Sequence, residues 1–222
     1  MYTVTERVVI AIDGPAGSGK STAARLLAEA LEYVALDSGS VYRIITIAML
    51  RNGMTPGDNF ANWFTSLGTD VVTLTDGRAT HLFGREVSEE ELKAPEVHAC
   101  VSQVSEHPDI REFVNAKLRE YAEQCESGIV CDGRDAGTVI FPDADVKIYL
   151  TARLIIRARR IGLPQSAIQA RDENDHRKAF GPLPRWQEAK QLGYKIVQTD
   201  AKEPSLVLAV MCRHVERTLS QL

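Results

Sequence analysis

The residues with the clearest chemical potential form a glycine-rich run near the start of the chain. Residues 14–21 read Gly-Pro-Ala-Gly-Ser-Gly-Lys-Ser and match the pattern GxxxxGK(S/T) in full. Glycines at this spacing let successive backbone N–H groups point into one concavity, which binds phosphate oxygens without side-chain bulk. The lysine reaches the β- and γ-phosphates of a nucleotide, and the next hydroxyl ligates Mg²⁺. The run therefore predicts a site for a nucleoside triphosphate with Mg²⁺.

The sequence on either side of this run supports that prediction. Val8–Ile12 are all apolar, as in a strand buried on both faces. Ser21–Leu31 place apolar side chains on one helical face, and the start of such a helix adds the positive end of its dipole to the site. The predicted triphosphate-binding residues are Gly14, Pro15, Ala16, Gly17, Ser18, Gly19, Lys20, Ser21 and Thr22, with Lys20 also catalytic and Ser21 also a metal ligand.

Asp132 is the acidic residue that could complete the Mg²⁺ site. It directly follows a second apolar run, Ile129–Cys131, which predicts another buried strand. The carboxylate could hold the ion through water, and the alternative is a strand-end aspartate that caps the following turn. The sequence has no NKxD-type motif, so nothing indicates the guanine specificity of a GTPase.

Two arginines indicate an acceptor that itself carries phosphate. Arg43 lies early in a predicted helix after Asp37, and Arg134 follows the strand that ends before Asp132. Both segments are expected at the carboxyl edge of the sheet, where open α/β sheets bind ligands. A guanidinium group binds phosphate oxygens bidentately. Either arginine alone is also compatible with a surface salt bridge, but the two together beside a phosphate-binding run favour a nucleotide acceptor.

Composition is that of a globular protein and excludes several other classes. The chain has 222 residues, 44% hydrophobic and 25% charged, which excludes disorder and low complexity. Its formal net charge of −4 argues against nucleic acid as a partner. The four cysteines show no CxxC spacing and suit a reducing compartment. We see no signal-peptide pattern, and the apolar stretch Val41–Leu50 is too short to span a membrane. We therefore expect a cytoplasmic protein. We also expect it to be a monomer.

Apolar strands that alternate with helices predict an α/β fold with a parallel sheet. Val71–Leu74 and Thr80–Phe83 flank Asp76-Gly77, which predicts an antiparallel hairpin inserted into that pattern. The remaining predicted elements are helices at Ser38–Arg51, Pro95–Glu106, Asp109–Gln124, Thr151–Ile161 and Ser205–Leu222 and strands at Val146–Leu150 and Lys195–Val197.

The sequence resembles the bacterial cytidylate kinases of the nucleoside-monophosphate kinase group. The resemblance covers most of the chain in a consistent order, and its Ser-Gln-Val, Gly-Arg-Asp-x-Gly-Thr and Phe-Pro-Asp-Ala pieces are more specific than the phosphate-binding run. The matching pieces are residues 12–22, Asp37-Ser38-Gly39 with Tyr42-Arg43, residues 101–104 with Pro108 and Arg111, residues 132–135 with 137–139, residues 141–148, and Arg171-Asp172 with Asp175, Ala179 and Pro182-Leu183.

This resemblance implies one P-loop kinase domain over residues 1–222, with a central parallel sheet flanked by helices. It further implies a nucleoside-monophosphate-binding insertion near 66–96, which carries a small antiparallel sheet, and a short lid near 157–178. The implied reaction moves the γ-phosphate of ATP to CMP with Mg²⁺. We expect dCMP as a second acceptor, because no feature that we can point to excludes it.

The acceptor site follows from the same resemblance. It implies that Ser102, Arg111 and Asp135 surround the cytosine ring, that Arg43 and Arg134 hold the acceptor phosphate, and that Arg171 and Asp175 lie near the sugar; Ser38 and Lys178 complete the predicted acceptor residues. Cytosine offers an N4 amino donor that a carboxylate accepts, whereas uracil would leave Asp135 facing a carbonyl. CMP should therefore be preferred over UMP. Alternatives are a helix-face role for Ser102 and solvated surface positions for Arg111 and Asp175.

An arginine-rich helix, with Arg153, Arg157, Arg159 and Arg160, resembles the base of the lid. We predict that Arg157 and Arg160 act on the transferring phosphoryl group, as Arg134 does, while closure excludes water. The alternative is a solvated helix face.

Two departures from the family pattern keep rival functions open. The segment between the lid helix and the Arg-Asp piece is shortened to Ile161–Ala170, and Lys178 stands where an arginine is usual. Lysine lacks the bidentate fork of arginine. The alternatives are a P-loop kinase of another small acceptor such as UMP, and a nucleotide-binding regulatory module without turnover.

Overall fold

A computed structural model describes residues 7–56, 59–200 and 203–221. The strands are β1 (Val9–Asp13), β2 (Val34–Asp37), β3 (Val72–Thr75), β4 (Arg78–Leu82), β5 (Arg85–Glu86), β6 (Ile129–Asp132), β7 (Val146–Thr151) and β8 (Lys195–Gln198). The helices are α1 (Lys20–Leu31), α2 (Ser38–Arg51), α3 (Phe60–Thr65), α4 (Glu89–Leu92), α5 (Pro95–Val104), α6 (Pro108–Gln124), α7 (Leu154–Ile161), α8 (Gln165–Arg177), α9 (Trp186–Gln191) and α10 (Pro204–Leu219). Short turns of 3-10 helix at Thr69–Val71 and of π-helix at Ala136–Ile140 complete these elements.

The predicted α/β class is confirmed by a five-stranded parallel sheet in the order β2-β6-β1-β7-β8. β1 lies at its centre, with Ile10 opposite Val130 of β6 on one side and Val146 of β7 on the other. All three side chains are essentially buried, which explains why these strands are apolar on both faces.

The chain divides into two compact units. The first comprises the described residues up to Ala35 and from Cys125 onward. Its core contains Leu27 of α1, Ile148 of β7 and Met211 of α10, each with no exposed surface. This unit therefore has its own hydrophobic core, to which residues from both of its chain segments contribute.

The second unit, Leu36–Gln124, carries the predicted antiparallel hairpin. β3 and β4 pair around Asp76 and Gly77, whose φ angles of +48° and +75° allow the tight turn. A third strand, β5, which the sequence did not predict, extends the sheet. The apolar stretch in α2 is buried in this unit, and none of the described helices is long and apolar enough to cross a membrane.

Several element boundaries differ from the prediction for physical reasons. Thr151 ends β7, and the helix that follows begins only at Leu154. The chain turns between them, where the N–H of Arg153 donates to the Asp200 carboxylate. The predictions missed β2, which has only four residues, and α8, in which only Ile168 and Asp175 are buried. A helix without an apolar stripe gives no periodic signal. α3, α4 and α9 are short and were missed as well.

Candidate active site

The glycine-rich run, hereafter the phosphate loop (residues 14–21), connects β1 to α1, as predicted. Gly14 has φ +148°, and a Cβ atom there would lie 2.1 Å from the backbone oxygen of Leu150 in β7. Only glycine therefore permits this close approach of loop and strand. Gly17 and Gly19 also have positive φ angles, +72° and +92°, which bend the loop back into the first turn of α1.

Lys20 lies inside the concavity of the phosphate loop. Its side chain is buried, and Nζ donates a hydrogen bond to the backbone oxygen of Pro15 (3.0 Å). Burial and the nearby Arg134 guanidinium hold the pKa of the Lys20 ammonium well below its usual range, although Asp132 and Asp13 oppose this shift. An anion that binds in the loop would stabilise the charged form of this ammonium group.

Ser21 and Asp132, the two predicted metal ligands, are in direct contact. The Ser21 hydroxyl donates to Oδ2 of Asp132 (2.7 Å). Strand register explains the contact, since Asp132 at the end of β6 lies opposite Ile12 of β1, just before the phosphate loop. Hydroxyl and carboxylate oxygens are ligands that Mg²⁺ accepts together with substrate phosphates. In the described part of the chain no group of three His, Cys, Asp or Glu side chains could hold a metal.

Arg134, Asp175 and Lys178 form an ion cluster beside the phosphate loop. Arg134 donates through Nε to Asp175 Oδ2 (2.8 Å) and through Nη1 to the backbone oxygen of Gly14 (3.1 Å). Nζ of Lys178 lies 3.4 Å from Asp175 Oδ1. Burial alone would raise the pKa of Asp175, but Arg134 and Lys178 outweigh it and hold the pKa below its usual range. With Asp175 4% exposed, the alternative of a solvated surface charge is wrong for this residue.

The guanidinium group of Arg157 links α7, α8 and the phosphate loop. It binds the Asp172 carboxylate through two hydrogen bonds, of 3.0 and 2.6 Å. It also donates to the backbone oxygens of Ala16 (3.1 Å) and Ala152 (2.9 Å). Arg157 is 7% exposed, so a solvated helix face does not describe it.

Arg160 reaches the same loop from the next turn of α7. Its guanidinium donates to the backbone oxygen of Gly17 (3.2 Å) and to both oxygens of Thr199, Oγ1 at 3.0 Å and the carbonyl at 2.6 Å. Thr199 in turn donates its hydroxyl to the backbone oxygen of Ser18 (2.9 Å). Arg153 instead pairs with Asp200 (3.2 Å), and Arg159 is exposed, as Arg160 is in part of its surface. The structure thus brings the two selected arginines, and not the other two, to the phosphate loop.

Asp135 lies in the first unit, directly after Arg134, and is buried. It precedes the π-helical turn Ala136–Ile140, whose N–H groups at Val139 and Ile140 donate to the Asp135 carbonyl (2.9 and 3.1 Å). Arg171, also predicted for the acceptor, lies exposed on α8.

The other predicted acceptor residues lie in the second unit. Arg43 pairs with Asp37 (2.9 Å), which also accepts the N–H of Ser40 at the start of α2. Arg111 on α6 is 6% exposed, donates to the Ser105 carbonyl (3.1 Å) and lies 5.9 Å from the centre of the Tyr42 ring. A solvated surface position is therefore wrong for Arg111 also. Ser38 is buried in α2, and Ser102 is half-buried on α5.

A family model described as cytidylate kinase matches residues 10–215. The chain belongs to the cytidylate kinase family. It is 37% identical over 192 residues to the cytidylate kinase of Caldicellulosiruptor bescii, across 80% of this chain and 84% of the relative. It is 39% identical over 198 residues to the cytidylate kinase of Rhodococcus jostii, across 81% and 84%. The crystal structure of TT1252 from Thermus thermophilus shares the fold, with a TM-score of 0.53 and 20% identity over 96% of this chain and 98% of that one.

Within this cytidylate kinase fold, four residues near the phosphate loop were not predicted: Asp13, Asp172, Tyr194 and Thr199. Asp13 and Asp172 lie inside the motifs that carry the family resemblance, so their position in sequence is a usable signal. Tyr194 and Thr199 lie outside them, and each bonds a partner 181 positions earlier in the chain. Nothing in the sequence near either residue indicates that contact.

Proposed function

We propose that this chain transfers the γ-phosphoryl group of ATP to CMP and forms ADP and CDP. The observation that carries the proposal is the phosphate loop with buried Lys20, set beside Arg134 and the Ser21–Asp132 pair, in a member of the cytidylate kinase family. The bond between the γ-phosphorus and the bridging oxygen of ADP breaks, and its electron pair stays with ADP. A phosphate oxygen of CMP forms the new bond. The acceptor oxygen is already ionised, so no general base is required.

Cations of the first unit stabilise the charge that develops during transfer. Lys20, Arg134 and Arg160 all contact the loop in which the phosphates bind. We assign Arg157 to the same function through its contact with Ala16. Preorganised cations at the developing charge are the main source of catalysis in phosphoryl transfer.

Ser21 and Asp132 would hold Mg²⁺ together with the phosphates of ATP. Their hydrogen bond supports this assignment because it orients two oxygen ligands toward one another at the loop. When bound, the ion would neutralise charge on the β- and γ-phosphates.

Base recognition is assigned to Asp135, Arg111 and Ser102. Asp135 and Arg111 are charged groups with 4% and 6% exposure, and buried charges of this kind discriminate strongly between partners that do and do not pair with them. The N4 amino group of cytosine would donate to Asp135. The remaining acceptor assignments are Arg43 and Arg134 to the phosphate, Arg171 and Asp175 to the sugar, and Ser38 and Lys178 as further acceptor contacts.

We further assign acceptor binding to an insertion near residues 66–96 and the lid to 157–178, within one domain. The small antiparallel sheet lies in the first range, and the second contains α8 and the C-terminal part of α7. The family membership favours a monomer in the cytoplasm with small-molecule acceptors, including dCMP. The net charge of −4 disfavours nucleic acid as a partner. The free cysteines suit a reducing compartment.

A coupled ADP-release assay with MgATP tests the proposal, with CMP, dCMP, UMP, AMP and shikimate as candidate acceptors. We expect release with CMP and dCMP, weak release with UMP, and CDP as the product with CMP. Lys20→Ala should abolish release and serves as the background control. Acceptor-independent release would contradict the kinase assignment. Binding of ATP and CMP in calorimetry without CDP would instead indicate the regulatory module.

A further inference from the structure

Asp13, the last residue of β1, is completely buried and accepts hydrogen bonds from three donors. Its Oδ1 accepts the N–H of Ala136 (2.8 Å), and its Oδ2 accepts the N–H of Gly137 (2.9 Å). The third donor is the hydroxyl of Tyr194, which lies 2.7 Å from Oδ2. The carboxylate therefore satisfies the first two backbone donors of the π-helical turn, which have no partner within a helical turn of their own.

Tyr194 also limits the space around this turn. A Cβ atom at Gly137 would lie 2.5 Å from the Tyr194 hydroxyl oxygen and 3.0 Å from Cβ of Ala11. The tyrosine ring is held edge-on against the ring of Tyr149, with 6.3 Å between the ring centres. The hydroxyl is thus fixed both by its hydrogen bond and by packing.

This arrangement determines where two proposed acceptor residues are placed. Arg134 and Asp135 immediately precede the amides that Asp13 holds. The Asp135 carbonyl is bound from the other side by Val139 and Ile140 of the same turn. The Asp135 carbonyl and the Ala136 N–H belong to one peptide unit, so hydrogen bonds at both ends of this unit fix the backbone directly after Asp135. This restricts the direction of the Asp135 carboxylate, and side chains that act on a substrate need such support.

We propose that Asp13 and Tyr194 form a positioning pair, in which the Tyr194 hydroxyl fixes the Asp13 carboxylate and that carboxylate fixes the turn carrying Arg134 and Asp135. Neither residue touches the substrate in this role. The inference rests on the proposed function, since it assigns the pair to CMP recognition. Tyr194 matters because an Asp13 carboxylate with fewer donors can rotate away from the amides.

Tyr194→Phe tests the pair, because it keeps the ring and removes only the hydroxyl. We expect the KM for CMP to rise about tenfold, the effect of losing one hydrogen bond to a charged group. The KM for ATP should change less than about twofold, since the hydroxyl that is removed donates to Asp13 rather than to a residue of the phosphate loop. The preference for CMP over UMP in kcat/KM should fall, because the direction of Asp135 is less fixed.

Tyr149→Phe is the matched control. Tyr149 is a buried neighbour whose hydroxyl donates to the Pro184 carbonyl (2.9 Å) rather than to Asp13. This variant also loses one buried tyrosine hydrogen bond, here to a neutral carbonyl, so a general effect of removing a buried tyrosine hydroxyl would appear in both variants. We expect its KM for CMP and its base preference to match the unmodified chain.

A second measurement does not depend on turnover. Backbone amide resonances of Ala136 and Gly137 should shift, and their hydrogen exchange should accelerate, in Tyr194→Phe but not in Tyr149→Phe. The positioning pair would be overturned if the resonances and exchange rates of these two amides were unchanged in Tyr194→Phe. It would also be overturned if the KM for CMP rose equally in both variants. If the unmodified chain forms no CDP, the proposed function fails instead, and the amide measurement still decides whether Tyr194 fixes the turn.

Discussion

Charged side chains with almost no exposure distinguish this chain at the scale of single residues. Asp135, Asp175 and Arg111 are 4%, 4% and 6% exposed. A charge is costly to bury unless a partner compensates it. Asp175 has its partners within the protein, in Arg134 and Lys178. Arg111 likewise donates to the Ser105 carbonyl and lies over the Tyr42 ring. Asp135 and Arg111 are the residues that we assign to the cytosine ring, whose polar edge offers groups complementary to both.

Asp135→Asn should narrow the discrimination between bases. An amide can present either its oxygen or its amino group, so it can pair with cytosine N4 or with uracil O4. We expect kcat/KM for CMP to fall about tenfold or more and the CMP-to-UMP ratio to fall with it. Initial rates with both acceptors at saturating MgATP measure the two values. An unchanged ratio would exclude Asp135 from base recognition.

Asp175→Asn should alter stability in acid. The pKa of Asp175 is lower in the folded chain than its unfolded value of about 3.9. The carboxylate therefore stabilises the fold above about pH 4, and this contribution is lost as pH falls through the lower folded value. We expect the variant to lose about 1–3 kcal/mol of unfolding free energy at neutral pH and to show a shallower decline below pH 4. Urea unfolding between pH 3 and 7 measures the unfolding free energy and its dependence on pH. If that dependence were the same in the variant and the unmodified chain, the prediction would be wrong.

Helices α7 and α8 are joined to the phosphate loop by side chains rather than by strand pairing. Arg157 on α7 binds Asp172 on α8 and the carbonyl of Ala16 in the loop. α8 has little apolar surface to bury, with Ile168 and Asp175 as its buried positions. Ion pairs therefore account for much of what holds this element in place.

Asp172→Asn should loosen that connection. Asparagine retains one acceptor oxygen but loses the charge and the bidentate geometry that suits a guanidinium group. Removing one partner of a buried ion pair lowers the unfolding free energy by about 3–5 kcal/mol. The retained amide oxygen should reduce this loss to about 1–3 kcal/mol. We expect a matching loss in urea unfolding and a higher KM for ATP.

Glu173→Gln is the control for that experiment. Glu173 is the adjacent residue and pairs with Arg177 at 3.6 Å on the exposed surface. Exposed pairs contribute about 0–1 kcal/mol, so this variant should behave like the unmodified chain. Equal effects of the two substitutions would show that Arg157 does not connect α8 to the loop.

The two compact units define the molecule at its largest scale. The described core cluster of the first unit draws on α1, the central sheet and α10, within the two chain segments of that unit. Its two chain segments meet where Val34 donates its N–H to the Gly128 carbonyl (2.9 Å). The second unit is therefore a continuous insertion between neighbouring points of the first.

Replacing residues 36–124 by a short Gly-Ser linker should leave the first unit folded. We expect cooperative thermal unfolding and binding of MgATP, because the phosphate loop and its contacts lie in the first unit. CDP formation should be absent, since Arg43, Ser102 and Arg111 are removed. Circular dichroism and calorimetry measure the first two properties. Loss of cooperative unfolding would contradict a self-contained core.

Local sequence determined much of this protein. The phosphate loop is contiguous in sequence, and the fixed spacing of its glycines, lysine and serine identifies it. Its place between β1 and α1 was therefore predictable. Strands buried in a parallel sheet appear in the sequence as apolar runs. The Asp76-Gly77 turn determines its hairpin through local φ angles. Fold class and family followed from such signals.

Which polar groups meet depends on how distant parts of the chain pack together. The bond from Tyr194 to Asp13 spans 181 positions, and the bond from Arg157 to Ala16 spans 141. No local pattern encodes such pairs, because hydrogen-bond partners are chosen by packing after the strands have aligned. The burial of Arg111 could not be predicted for the same reason, since the sequence around a helical arginine does not show which distant residues will pack over it.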